Sequence, residues 1–158
     1  MRTKPANLAR AIYGYILATS LVAAFSEDDD YSTTEVAVSV FVTGLVFWLA
    51  HVYASLLGER YAAGRRLTRS EIGAEFYAEW PLVQAFIPSI AVLLLGTIGL
   101  LSDDTAVWLA IAVGLAALLL WSLEIGRRER LSPLELAEMG LVNGLFGAAV
   151  ILLKVVVH

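Results

Sequence analysis

The stretch Ser102-Asp-Asp-Thr-Ala-Val-Trp-Leu-Ala-Ile-Ala-Val-Gly-Leu-Ala-Ala-Leu-Leu-Leu-Trp-Ser-Leu-Glu-Ile-Gly-Arg-Arg128 decides the fold. Two carboxylates lead it, residues 105–123 carry no charge, and two arginines close it. A hydrocarbon core of about 30 Å takes about 20 helical residues to cross, and this run has that length. Backbone groups in lipid must bond within their own segment, which selects a helix over an open strand. Ser102 to Thr105 offers several N-caps, and Arg127 and Arg128 complement the negative end of the helix dipole.

Four further apolar stretches flank this one, at about 8–26, 35–57, 81–101 and 134–157, with the quoted span at 105–126. The expectation is an all-α polytopic membrane protein of five transmembrane helices, forming one bundle domain over residues 1–158. Composition agrees: 59% of residues are hydrophobic, against roughly 45–50% in a soluble domain. Ten of the eleven Lys and Arg residues fall in three clusters on one side of the apolar series: Arg2, Lys4, Arg10; Arg60, Arg65, Arg66, Arg69; Arg127, Arg128, Arg130. The intervening loops, Glu27 to Asp30 and Asp103 to Asp104, hold only acids. Short basic loops stay cytoplasmic, so the pattern predicts a multi-pass protein of the cell membrane, N-terminus inside and C-terminus outside. The run from Leu8 to Phe25 is long for a signal-peptide core, so it reads as a span.

Helix starts are written in capping chemistry. Ser32-Thr-Thr-Glu35, Thr68-Arg-Ser-Glu71 and Ser132-Pro-Leu-Glu135 each match a capping box, with Pro133 suited to a first helical position. The long inner connection, Gly58 to Trp80, carries Ile72, Phe76, Tyr77 and Trp80 on one side and Glu71, Glu75 and Glu79 on another. This spacing predicts a short amphipathic cytoplasmic helix, anchored by Trp80 and bent into the third span by Pro81. A weak repeat, Arg66-Leu-Thr-Arg-Ser-Glu-Ile72 against Arg130-Leu-Ser-Pro-Leu-Glu-Leu136, follows each hairpin.

Polar side chains within spans are costly and mark candidate sites. At 1.5 Å per residue, His51, Tyr15, Gln84 and Asn143 fall roughly 6–10 Å from the cytoplasmic face, one layer in depth. They are the transport-path candidates, with His51 singled out because imidazole takes and gives protons near neutral pH. The alternative is that they bond between helices and hold the bundle together. Glu71, Glu75 and Glu79, joined by Glu135 and Glu138 at the same level, are the cation-collecting candidates, since hard cations favour clustered carboxylates; the alternative is a solvated face. Gly140, Gly144, Gly147 and Ala148 make a smooth helix-packing stripe on the fifth span, within the chain or between copies, and a homo-oligomer, a dimer first, is expected. Arg10 reads as snorkelling to the headgroups.

Several classes are excluded or unsupported. With no cysteine there is no disulfide, thiolate metal site or cysteine nucleophile. His51 and His158 are the only histidines, too few for a multi-histidine metal centre within one chain. No Ser-His-Asp set, phosphate loop or metalloprotease motif occurs, so no enzyme and no cofactor is predicted. The basic clusters are explained by orientation and anionic lipid, so nucleic acid is not an expected partner; the lipid bilayer is.

The order of parts resembles the vacuolar iron transporter family. Arg10-Ala-Ile-Tyr-Gly14 is similar to the opening of that family's first span, and Leu49-Ala-His-Val-Tyr-Ala-Ser55 to its Gly-Glu-Tyr-x-Ser stretch, with His51 near the place of the Glu. Gly58 to Trp80 stands where the family has its Glu-bearing insert, and Gly126-Arg-Arg-Glu-Arg-Leu-Ser-Pro-Leu-Glu135 resembles its last junction. The chain departs from the family at Tyr15-Ile16-Leu17, where the family carries Asn-Asp-Gly, and it lacks the path methionine of span two. It also has the look of small actinobacterial integral-membrane proteins. The resemblance implies a five-span layout and a metal cation as candidate cargo. The leading functional expectation is thus a small cation transporter or channel, proton-coupled if His51 serves as a relay; the alternative is a non-transporting accessory or assembly protein.

Overall fold

A computed structural model describes residues 5–26 and 31–156, and among these it is all-helical. The helices are α1 (Pro5–Phe25), α2 (Thr33–Ala63), α3 (Arg69–Ala78), α4 (Trp80–Gln84), α5 (Ile87–Thr97), α6 (Asp103–Glu129) and α7 (Pro133–Val156). Three of them contain stretches long and apolar enough to cross a membrane: Thr33–Ala63, Asp103–Glu124 and Pro133–Leu152. Ala9–Phe25 is apolar but shorter. Arg2, Lys4, the acidic loop at 27–30 and His158 lie outside the described residues.

The capping chemistry forms as the sequence predicts. The Ser32 and Thr68 hydroxyls accept from the amides of Glu35 and Glu71, whose carboxylates accept in return from the cap amides. Ser132 and Glu135 do the same at 2.7 and 3.4 Å. Ser102 accepts from the Thr105 amide at 3.3 Å to start α6. Helix α2 runs on to Ala63 and stops at Gly64, whose φ of 62° ends it in a left-handed turn.

The third apolar stretch is not one helix. Segments Arg69–Gln84 and Ile87–Thr97 meet at 53°. The bend expected at Pro81 lies instead at Ala85-Phe86, just ahead of Pro88. Proline has no amide to donate to the Gln84 carbonyl, so the ladder must break there. The Phe86 amide turns to Val83 O at 3.1 Å, a tighter turn. The broken corner is buried rather than frayed. Ala85 and Leu82 press on Gly14, where an added Cβ would sit 2.7 Å from Ala85 Cβ, and the Phe86 ring presses on Gly44, where an added Cβ would sit 2.8 Å from it. Two glycines thus admit the corner between α1 and α2.

Helix α6 is the central post, packed against α1 and α5, while α2 closes over α5 and α7 leans on α1 and α6. Small side chains fill the centre: Ala18, Ala23, Ala106 and Ala110 are buried. Large apolar ones face out, including Val38, Phe41, Val42 and Val46 on α2 and Leu141, Leu145 and Leu152 on α7. A water-soluble bundle would bury those side chains; their exposure along apolar helices is compatible with a lipid surrounding.

The amphipathic helix is reversed from a surface helix. Glu75 and Glu79 are the buried positions, 9% and 2% exposed, while Ile72, Phe76, Tyr77 and Trp80 are open to the surroundings. Glu75 and Glu79 turn into the protein, because α1 supplies a cation there.

Candidate functional site: a buried carboxylate cluster at the basic end

Four elements converge at the end of the bundle that carries the arginines. Arg10 comes from α1, Ser55 from α2, Glu75 from α3, and Glu79 from the joint between α3 and α4. Arg10 Nε donates to Glu79 Oε1 at 2.8 Å, and Arg10 Nη2 lies 3.9 Å from Glu75 Oε1. Ser55 Oγ donates to the same Glu79 oxygen at 3.3 Å. Glu79 Oε2 is buried and has no hydrogen-bond partner. With two carboxylates and one guanidinium, the cluster's formal charge is −1.

An aromatic wall backs the cluster. Trp48 meets Phe76 and Trp80 edge-on, with centroids 5.5 and 5.9 Å apart. Its indole Nε1 is the second buried polar atom without a partner among the described residues. Beside the wall, the His51 ring lies 5.3 Å from that of Tyr13, tilted at 46°. His51 Nδ1 is 2.9 Å from the Phe47 carbonyl. A carbonyl can only accept, so this nitrogen carries the hydrogen and Nε2 of the neutral ring is an acceptor.

The four path candidates do not bond to one another. His51 neighbours Tyr13 near the cluster. Tyr15 is buried, and its hydroxyl accepts from Trp121 Nε1 of α6 at 3.0 Å. Asn143 Nδ2 donates to Ser122 Oγ at 2.7 Å, which in turn donates to Leu118 O at 2.8 Å. Tyr15 and Asn143 therefore tie α1 and α7 to the central post. Gln84 is exposed at the broken corner.

The acidic strip also divides. Glu71 faces away from Glu75 and Glu79; it caps α3 and takes Arg65 at 2.6 Å. The hydrogen bond from Arg65, helped by those from Thr68, lowers its carboxyl to about 2. Glu135 caps α7 and Glu138 is exposed. No group of three or more metal-ligating side chains forms among the described residues. On α7, Gly147 packs against Leu115 at 3.4 Å for an added Cβ, whereas Gly140 and Gly144 have open space and Ala148 is exposed. Within one chain the small-residue stripe is used only at Gly147.

Arg10, Ser55 and Trp48 are the members that sequence reading missed. Arg10 does not snorkel freely to headgroups; it is held by Glu79. Its signal was present: Glu75 and Glu79, one turn apart, need a common partner once buried, and Arg10 is the one base in the described part of α1.

At the acidic end, Asp103 and Asp104 grip the start of α2. Thr33 Oγ1 donates to Asp103 Oδ1 at 2.7 Å, and Tyr31 Oη donates to Asp104 Oδ1 at 2.9 Å. Partial burial, then the Asp104 hydrogen bond and the charges of Asp104 and Asp103, raise the Tyr31 phenol to about 12.

Scans against protein-family models, characterised proteins and solved structures each give no match to this chain.

Proposed function

We propose that this chain is a multi-pass protein of the cell membrane that moves a cation, with Glu79 as the group that binds it or exchanges a proton for it. In this reading α1, α2, the bent α4–α5 unit, α6 and α7 are five crossings, N-terminus inside, with the arginine end in the cytoplasm. One observation carries the proposal. Glu79 is 2% exposed, yet one of its oxygens has no partner. An unmatched buried carboxylate oxygen is costly, and a proton or a cation arriving there removes the cost. Arg10 then acts as a resident counter-charge that the incoming ion displaces, and His51, one ring away from α1, is a relay candidate. The resemblance of the order of parts in the sequence to the vacuolar iron transporter family puts divalent metals first in the panel of ions to be tried.

The test is flux into proteoliposomes with an internal pH probe, over divalent and monovalent cations. Wild type is expected to carry at least one of them, Glu79→Gln to carry none, and Glu71→Gln to match wild type. Absence of flux for every cation, or full flux in folded Glu79→Gln, would overturn the assignment. Full flux in stable His51→Gln would remove the relay alone.

The second reading, an accessory or assembly protein, is favoured by the same ion pair seen as a strut between α1 and the α3–α4 joint. It predicts no flux and a loss of bundle stability when Arg10 is replaced. In either role we propose a homo-oligomer, a dimer first, joined through Gly140, Gly144 and Ala148, the part of the stripe left open by the single chain. Light scattering on Gly144→Leu should show a smaller particle with an unchanged melting temperature; unchanged size would remove this face from the interface.

A further inference from the structure

A groove of about 440 Å³ opens between the last turns of α2 and the connection to α3, lined by Tyr53, Leu57, Arg60, Arg66 and Ile72 among others. Its lining is mostly apolar and includes two arginines. The neighbouring Arg65 is committed to Glu71 by two hydrogen bonds of 2.6 and 3.1 Å. Among the described residues, neither Arg60 nor Arg66 has a carboxylate within ion-pair distance. Tyr53, one of the lining residues, is 66% exposed and offers an amphipathic ring of the kind that favours a membrane interface.

Two unpaired arginines above an apolar trough match one class of ligand, a molecule with an anionic head and a hydrocarbon tail. Guanidinium groups bind phosphate oxygens in a planar, two-pronged manner, and two of them suit a phosphodiester that keeps its negative charge. A soluble anion would leave Leu57 and Ile72 uncovered, and a neutral lipid would leave the arginines unmatched. We infer that this groove seats an anionic phospholipid, its phosphate between Arg60 and Arg66 and an acyl chain along Tyr53, Leu57 and Ile72. The inference rests on the membrane reading of the chain. The seat also lies against α3, the helix that presents Glu75 and Glu79 to Arg10, so an occupied groove would hold that helix in place.

The experiment uses the full chain in two steps. First, the protein is reconstituted into phosphatidylcholine vesicles and floated after an alkaline wash. Loss from the floating fraction would overturn both the membrane reading and the lipid seat. Second, the protein is reconstituted into vesicles of equal phosphatidylglycerol and phosphatidylcholine, and the lipids it retains on extraction are counted by native mass spectrometry. The expected result is a preference for phosphatidylglycerol that falls about five-fold for each of Arg60→Gln and Arg66→Gln. The variant pair Arg69→Gln with Arg130→Gln, which removes twice the charge of either single variant elsewhere at this end, should keep the preference. Equal retention of the two lipids by wild type, or an equal loss in the control pair, would overturn the seat while leaving the membrane reading intact. Displacement of phosphatidylglycerol by excess inorganic phosphate would also overturn it, since the groove would then be an anion site.

Discussion

At the arginine end, Glu79 and Glu75 meet Arg10 inside the protein, charge set against charge. At the opposite end, the exposed Asp103 and Asp104 accept from the hydroxyls of Thr33 and Tyr31, both neutral donors. Both arrangements join helices distant in sequence, yet they respond differently to the loss of one partner. A surface carboxylate deprived of a hydroxyl turns to water. A buried carboxylate deprived of its guanidinium keeps only the Ser55 hydroxyl, at 3.3 Å, and its second oxygen is already unmatched. Stability is therefore expected to be concentrated at the arginine end, in the same groups to which we assign ion exchange.

The largest test of that contrast is Arg10→Gln. Removing one member of a buried pair costs about 3–5 kcal/mol, so this variant should melt far below wild type or fail to assemble in detergent. Combining it with Glu79→Gln should recover much of the loss, because the stranded charge is gone. A single variant as stable as wild type would break the comparison, for the pair would then be no more than a surface contact.

Thr33→Val comes next, at the acidic end. Thr33 is 2% exposed, and its hydroxyl donates to a charged acceptor. Loss of such a bond costs about 1.5 kcal/mol, read as a lowered denaturation midpoint. A loss equal to that of Arg10→Gln would erase the difference between the ends.

Tyr31→Phe should cost less, about 0.5 kcal/mol, since this hydrogen bond is exposed. Its pH dependence has a definite sign. The folded phenol sits at about 12, above its ordinary 10.0, so the folded state holds the proton more tightly. That contribution is complete below pH 10 and is lost as pH rises towards 12. Ultraviolet titration of tyrosinate should show a late-ionising component that is smaller by one tyrosine in Tyr31→Phe; an undiminished late component in the variant would assign it elsewhere.

Glu71→Gln should have the smallest effect, with a melting curve superimposed on wild type. It belongs to the arginine end but is solvated, and Gln keeps the capping geometry at Thr68. The carboxyl, held at about 2, is depressed, so what Arg65 contributes is present above the ordinary carboxylate range and lost only as pH falls towards 2. A large loss of stability in Glu71→Gln would show that burial is not what separates it from Glu79.

Much of the scaffold is legible in local chemistry. The capping boxes at Ser32, Thr68 and Ser132 each involve residues three apart, so nothing distant has to be known to expect them. Less of the site is. Glu71, Glu75 and Glu79 share one spacing, but only the last two turn to Arg10. The break ahead of Pro88 was open to reading, since a proline without an amide must interrupt the ladder; the apolar run from 81 to 101 masked it. Gly140 and Gly144 match Gly147 in type and spacing, yet only Gly147 finds a neighbour in the chain.

The sequence by itself determined the helices, their caps and the segregation of bases to one end, because these depend on residues within a turn or on charge counted along the chain. Only the tertiary structure decided which way α3 faces. Its apolar side alone would have been turned inward in water, and its acids outward. The deciding partner, Arg10, lies 69 positions from Glu79, and the free energy of burying a carboxylate depends on whether such a cation is within reach. That distance in sequence, closed by Gly14 and Gly44 admitting the broken corner between α1 and α2, turns two members of a stripe that reads as cation-collecting or solvated into a buried pair with one oxygen left open.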